Sequence, residues 1–116
     1  MSIKTNWYDY DEGYSVGTVG SNGGVIARDE EHESGARITL EEESSFAPFA
    51  VTCGIYGWMF HTRYFSDKAE ASDEYDAMKN ELNEILESIS AEEENLDEEA
   101  HKEIAEKMER FVEKYP

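Results

Sequence analysis

Between residues 46 and 65 the chain reads FAPFAVTCGIYGWMFHTRYF, and no other stretch could fill the centre of a folded domain as well. It holds seven of the fourteen aromatic residues and the only cysteine. β-Branched and aromatic side chains punctuated by glycine disfavour a helix, so the pattern predicts a long central strand or a strand pair. Phe49, Val51, Cys53 and Ile55 share one parity. Beyond Gly54 and Gly57 the weight passes to Tyr56, Trp58, Phe60, Thr62 and Tyr64. A change of buried parity at a glycine marks a bulge or a tight turn. Either one bent strand or two strands turning near residues 54–57 satisfies it. A single strand would carry bulky apolar groups on both faces, one covering helices and the other needing a second layer or a second subunit.

Upstream the chain reads as short hairpin strands. Residues 14–19 alternate, with Tyr14, Val16 and Thr18 on one side, and GSNGG at 20–24 precedes the β-like VIAR of 25–28. Asn-Gly between two strand-like runs signals a hairpin, because both central residues of a type I′ turn need positive φ. A phosphate-cradling glycine loop would lead into a helix N-terminus, whereas a β-like run follows here. Residues 29–35, DEEHESG, read as a polar connection. Carboxylates beside His32 bring a divalent cation to mind, but the spaced acids and fixed glycine of a calcium loop are missing, so a solvated turn is expected. Residues 36–41 alternate cleanly, which places Ala36, Ile38 and Leu40 inward and turns Arg37, Thr39 and Glu41 to water. Trp7, Tyr8 and Tyr10 crowd the start of the chain, where such density predicts a segment docked on the domain, with a partner-binding arm as the alternative.

Downstream, helices begin at Ser66 or Ser72. Tyr75, Met78, Leu82, Ile85, Leu86 and Ile89 recur at three- and four-residue steps and form one apolar stripe. Residues 90–94 read as a turn, and Asn95 three before Glu98 reads as a capping box. Leu96, Ala100, Ile104, Met108, Phe111, Val112 and Tyr115 mark a second stripe. The pairs Glu98–Lys102, Glu103–Lys107 and Glu106–Arg110 run in the favoured i,i+4 direction. Strands first and helices second predict a single α+β domain over residues 1–116. Its sheet part, 1–65, is an antiparallel β-sheet of about four strands, and 66–116 is an antiparallel pair of amphipathic helices packed on one sheet face.

A formal charge of −18 sets the class of partner. Residues 66–116 carry 18 acidic and 6 basic side chains against 10 and 4 before them. Such a field repels nucleic acid and anionic membranes, which need basic groups, and favours a basic protein or cations. With no run of eighteen apolar residues, no apolar leader in residues 1–6 and a single cysteine, a cytoplasmic location is expected.

Chemistry-bearing motifs are sparse. Cys53 and His61 would lie roughly 26 Å apart on one continuous strand, at about 3.3 Å per residue, and only a hairpin could join them as nucleophile and base. His32, His61, His101 and Cys53 lack metal-ligand spacing, so neither a metal nor a cofactor is expected. His61 and Arg63 project together from an aromatic strand. With Tyr56 and Trp58 they could line a pocket between sheet and helices for a small anion or carboxylate, unless Arg63 is paired with a helix carboxylate. Asp73, Glu74, Glu81, Glu84 and Glu87 form an acidic row on the first helix with little counter-charge, a surface suited to a basic partner. The sequence therefore points to a non-enzymatic binding or regulatory module, homodimeric through the aromatic sheet face or the N-terminal segment. A small-molecule-binding domain or minor enzyme is the alternative.

Overall fold

The computed structural model describes residues 7–92 and 97–116 as a five-stranded antiparallel sheet followed by two helices, the expected α+β order with one strand more. The strands are β1 (Trp7–Asp9), β2 (Val25–His32), β3 (Ala36–Glu42), β4 (Phe49–Ile55) and β5 (Met59–Phe65), and the helices are α1 (Lys68–Glu92) and α2 (Glu98–Lys114). Strand order in space follows strand order in sequence, so the sheet is a meander. Among the described residues no helix is long and apolar enough to cross a membrane.

Two periodicities meet in the core. Period two brings Ala36, Ile38 and Leu40 of β3 and Val51, Cys53 and Ile55 of β4 to one sheet face. Period 3.6 turns Tyr75, Met78, Leu82 and Leu86 of α1 against them, with Ile104, Met108 and Phe111 of α2 completing the cluster. Each Val, Ile, Leu, Met or Phe side chain among them, fully buried, contributes roughly 1.5–3 kcal/mol. Asp67 caps α1 by accepting the Glu70 N–H at 3.0 Å, one residue past the earlier of the two expected starts. The helix then runs through residues 90–92, where a turn was expected. Asp97 caps α2 by accepting the Ala100 N–H at 2.8 Å, and the expected cap Asn95 lies outside the described residues. The helices are antiparallel: Lys107 Nζ donates to Ser88 Oγ at 2.6 Å, and Lys114 pairs with Glu81. Lys107 thus reaches across to α1, not along its own helix to Glu103.

The 46–65 stretch resolves into two strands, β4 and β5, with the Trp58 N–H donating to the Ile55 carbonyl at 2.9 Å to close the turn between them. Residues 29–32 belong to β2, which corrects their reading as a connection. The expected strand at 14–19 is reduced to a single bridge, Val19 with Val25. After β1 the chain turns sharply through Asp11 and Glu12, both left-handed (φ 49° and 54°), and residues 10–24 cross the sheet face away from the helices.

That crossing explains a second correction. Arg37, Thr39 and Glu41 face away from the helices, but Thr39 and Glu41 are buried and Arg37 is only partly exposed; Glu41 is only 1% exposed. Its Oε1 accepts the N–H groups of Asn22 and Gly24, each at 3.1 Å, and its Oε2 accepts Asn22 Nδ2 at 2.6 Å. A Cβ on Gly20 would lie 2.5 Å from the Glu41 carboxyl carbon, and one on Gly24 would lie 2.6 Å from the Glu42 carbonyl oxygen. Glycine at both positions lets the loop close on the carboxylate. Replacing Glu41 by Gln turns an acceptor into an amide that faces the Asn22 donors. Charge-assisted bonds of this kind are worth about 1.5–3 kcal/mol, so Glu41→Gln is expected to lower stability by about 2–3 kcal/mol in urea unfolding. A change below about 0.5 kcal/mol, within the range of an ordinary surface substitution, would show that the loop does not depend on the ion.

Candidate functional site

The sheet face away from the helices is polar and networked. Asn22 Nδ2 also donates to Thr52 Oγ1 at 2.7 Å, Thr52 and Thr62 share a hydroxyl contact at 3.1 Å, and the Tyr64 hydroxyl donates to Asn22 Oδ1 at 3.4 Å. Arg37 donates from Nε and Nη2 to the two Asp29 oxygens at 2.9 and 2.6 Å, and its Cζ lies 3.6 Å from the centre of the Tyr10 ring. The Asp29 hydrogen bonds raise the Arg37 pKa above its ordinary value. Tyr56 and Tyr8 donate to Glu31 at 2.6 and 2.7 Å and hold its carboxyl below the usual range. Between this face and residues 10–24 lies a cavity of about 800 Å³.

The four residues expected to line a pocket are split between the two faces. Tyr56 stands on the open face, bonded to Glu31. Trp58 occupies the β4–β5 turn and packs on His101 of α2, ring centres 4.6 Å apart. His61 and Arg63 lie on the helix side. His61 Nε2 bonds the Tyr115 carbonyl, and Arg63 Nε donates to the Pro116 oxygen at 3.2 Å. Arg63 Nη1 lies 3.3 Å from Glu74 Oε1, close enough for an ion pair but without hydrogen-bond alignment. Arg63 therefore pairs with a helix carboxylate, and the cavity opens on the opposite face from the one expected, with Tyr56 and Trp58 in its lining but not His61 or Arg63.

Cys53 and His61 are direct cross-strand partners, because the hairpin forms. Proximity does not make them a catalytic pair. The thiol is 1% exposed, burial pushes its pKa up to about 12, and His61 is engaged by Tyr115. His32, 2% exposed, accepts the Ser34 N–H on Nδ1 at 3.0 Å. Its Nε2 must then carry the proton and donate to Asn83 Oδ1 at 2.8 Å. Its ring meets Trp7 edge-on at 5.0 Å. Among the described residues no three His, Cys, Asp or Glu side chains converge as metal ligands would.

Two of the five residues in the acidic row are compensated. Glu74 pairs with Arg63 and Glu81 with Lys114, and both are half-buried. Asp73, Glu84 and Glu87 remain exposed, with Glu87 accepting Asn83 Nδ2 at 3.3 Å. Sequence reasoning missed Glu41, Asn22 and the Tyr10–Arg37–Asp29 stack. A signal for the first was present: the glycine loop does cradle an anion, but the anion is a side chain of the same domain. No family model, curated protein or solved structure matches the chain.

With its thiol protonated and enclosed, native Cys53 is expected to resist iodoacetamide at pH 8 and to react at the rate at which the core opens. Alkylation of the folded protein as fast as of the urea-unfolded chain would place the thiol at the surface instead.

Proposed function

We propose that this chain is a non-enzymatic binding module that meets a basic protein partner with the exposed acidic side of α1. The observation behind this reading is how the cations are used. Six of the ten basic residues, Arg28, Arg37, Arg63, Lys68, Lys79 and Lys114, sit in ion pairs within the fold. Arg28 and Lys79 both hold Glu30 between sheet and helix, and Asp76, the second partner of Arg28, is the exposed α1 carboxylate they compensate. The remaining excess of 28 acidic over 10 basic residues falls on exposed positions such as Asp73, Glu84 and Glu87. A field of that sign steers a basic surface into contact and accelerates association. Neutralising Asp73, Glu84 and Glu87 together (to Asn, Gln and Gln) is expected to slow association with a basic partner captured from native lysate by about tenfold, with capture itself failing as salt rises. An unchanged association rate would refute the acidic-face reading.

We also propose self-association, through the edge-to-face pair Phe46 and Tyr64 at the open face. These rings are 82% and 45% exposed, far more than apolar side chains of a core. Contact between two equally acidic copies must tighten as salt screens their repulsion, opposite to a basic partner. Sedimentation is expected to show a dimer favoured by salt and lost in Phe46→Ala; a monomer at every ionic strength would remove this proposal.

A further inference from the structure

The cavity on the open face is independent of the acidic helix and has a chemistry of its own. Its floor is the sheet, with Ile26, Arg37, Thr39 and Thr52, its roof includes Tyr10, and Phe60 stands at its side, 75% exposed. A space of about 800 Å³ falls in the range of small-molecule sites and is too small for a folded partner. Gly54 carries no side chain on the floor beside Phe60, and a Cβ there would sit tightly at 3.2 Å from the Met59 carbonyl oxygen and 3.6 Å from Phe60 Cδ2.

Charge decides which small molecule fits. Two ionised groups border the cavity, and the fold satisfies both. Arg37 is held in bidentate fashion by Asp29 and covered by the Tyr10 ring, and the Glu41 carboxylate is enclosed by Asn22 and Gly24. A charged ligand would lose its hydration without gaining an unpaired counter-ion, an unfavourable exchange. Neutral polar groups, by contrast, have capacity left. Ser15, a wall residue 9% exposed, has a buried hydroxyl with no hydrogen-bond partner among the described residues. The Thr39 hydroxyl has only a stretched bond, 3.5 Å to the Thr52 carbonyl. Aromatic walls and spare hydroxyls suit a flat ring carrying a hydroxyl, carbonyl or amine.

We propose that the cavity between residues 10–24 and the open sheet face binds an uncharged aromatic small molecule, its ring against Phe60 and its polar group toward Thr39 and Ser15. Two fluorescent probes with one ring skeleton test it on the full chain: neutral N-phenyl-1-naphthylamine and its sulfonated analogue 1-anilinonaphthalene-8-sulfonate. The neutral probe is expected to bind about tenfold or more tightly than the sulfonate. Gly54→Leu, which fills the floor, and Phe60→Ala, which strips the wall, are each expected to weaken neutral-probe binding about tenfold with circular dichroism unchanged. Should Gly54→Leu fail to fold, Phe60→Ala decides alone, because its ring is largely exposed and its loss leaves the core intact. Equal or tighter binding of the sulfonate overturns the uncharged class. Absence of neutral-probe binding, or binding that survives Phe60→Ala undiminished, overturns the site.

Discussion

A carboxylate enclosed away from water is tolerated only when donors surround it, and Glu41 is such a group. On β3 it is 1% exposed, and a cover that brought no donors to it would strongly disfavour folding. The loop at residues 20–24 supplies two backbone N–H groups and an Asn side chain, and glycine lets the chain approach closely enough to do so. Asn22 then passes the constraint on: its amide reaches Thr52, Thr52 meets Thr62, and Tyr64 closes back on Asn22. One ion therefore ties the loop to β3, β4 and β5. The roof of the cavity rests on that tie.

The helix side is held by a different mixture. Apolar packing dominates, but Glu30 of β2 draws the Tyr75 hydroxyl at 2.9 Å and Lys79 Nζ at 2.5 Å down from α1. Arg28 lies over the Tyr75 ring at 3.9 Å and reaches Asp76 at 3.1 Å. Burial first, and Glu30 second, push the Tyr75 phenol well above its ordinary pKa, so it stays a donor. Placing scarce cations between layers leaves the outer surface with carboxylates and few partners for them. The same distribution keeps the acidic exterior from competing with the interior, since the internal pairs are screened less by salt.

Much of the architecture was legible because periodicity is a local property. The two-residue alternation of β3 and β4 and the stripes at Tyr75–Met78–Leu82 and Ile104–Met108–Phe111 appear in the structure as the core they imply. The glycines at 54 and 57 marked either a bulge or a turn, and the chain turns at residues 56–58 with Gly54 still inside β4. Illegible was anything that depended on a distant residue. Residues 14–19 alternate like a strand, yet they make one β-bridge, at Val19, and two backbone hydrogen bonds to Ile26, because the path is set by the Glu41 carboxylate and the Tyr10–Arg37 stack. Arg37, Thr39 and Glu41 looked like solvent positions because their burial comes from a segment some twenty residues upstream.

By itself, then, the chain determined its α+β order, its two helices, the apolar face of its sheet and its acid excess, all set by neighbours within a few positions. Only tertiary structure decided which face of the sheet is roofed, where the cavity opens, that Cys53 and His61 sit opposite each other with the thiol inert, and that Arg63 is paired with Glu74. The reason is physical. Local pattern records which side chains avoid water, whereas desolvating an ion or closing a cavity depends on groups that meet only when the chain has folded.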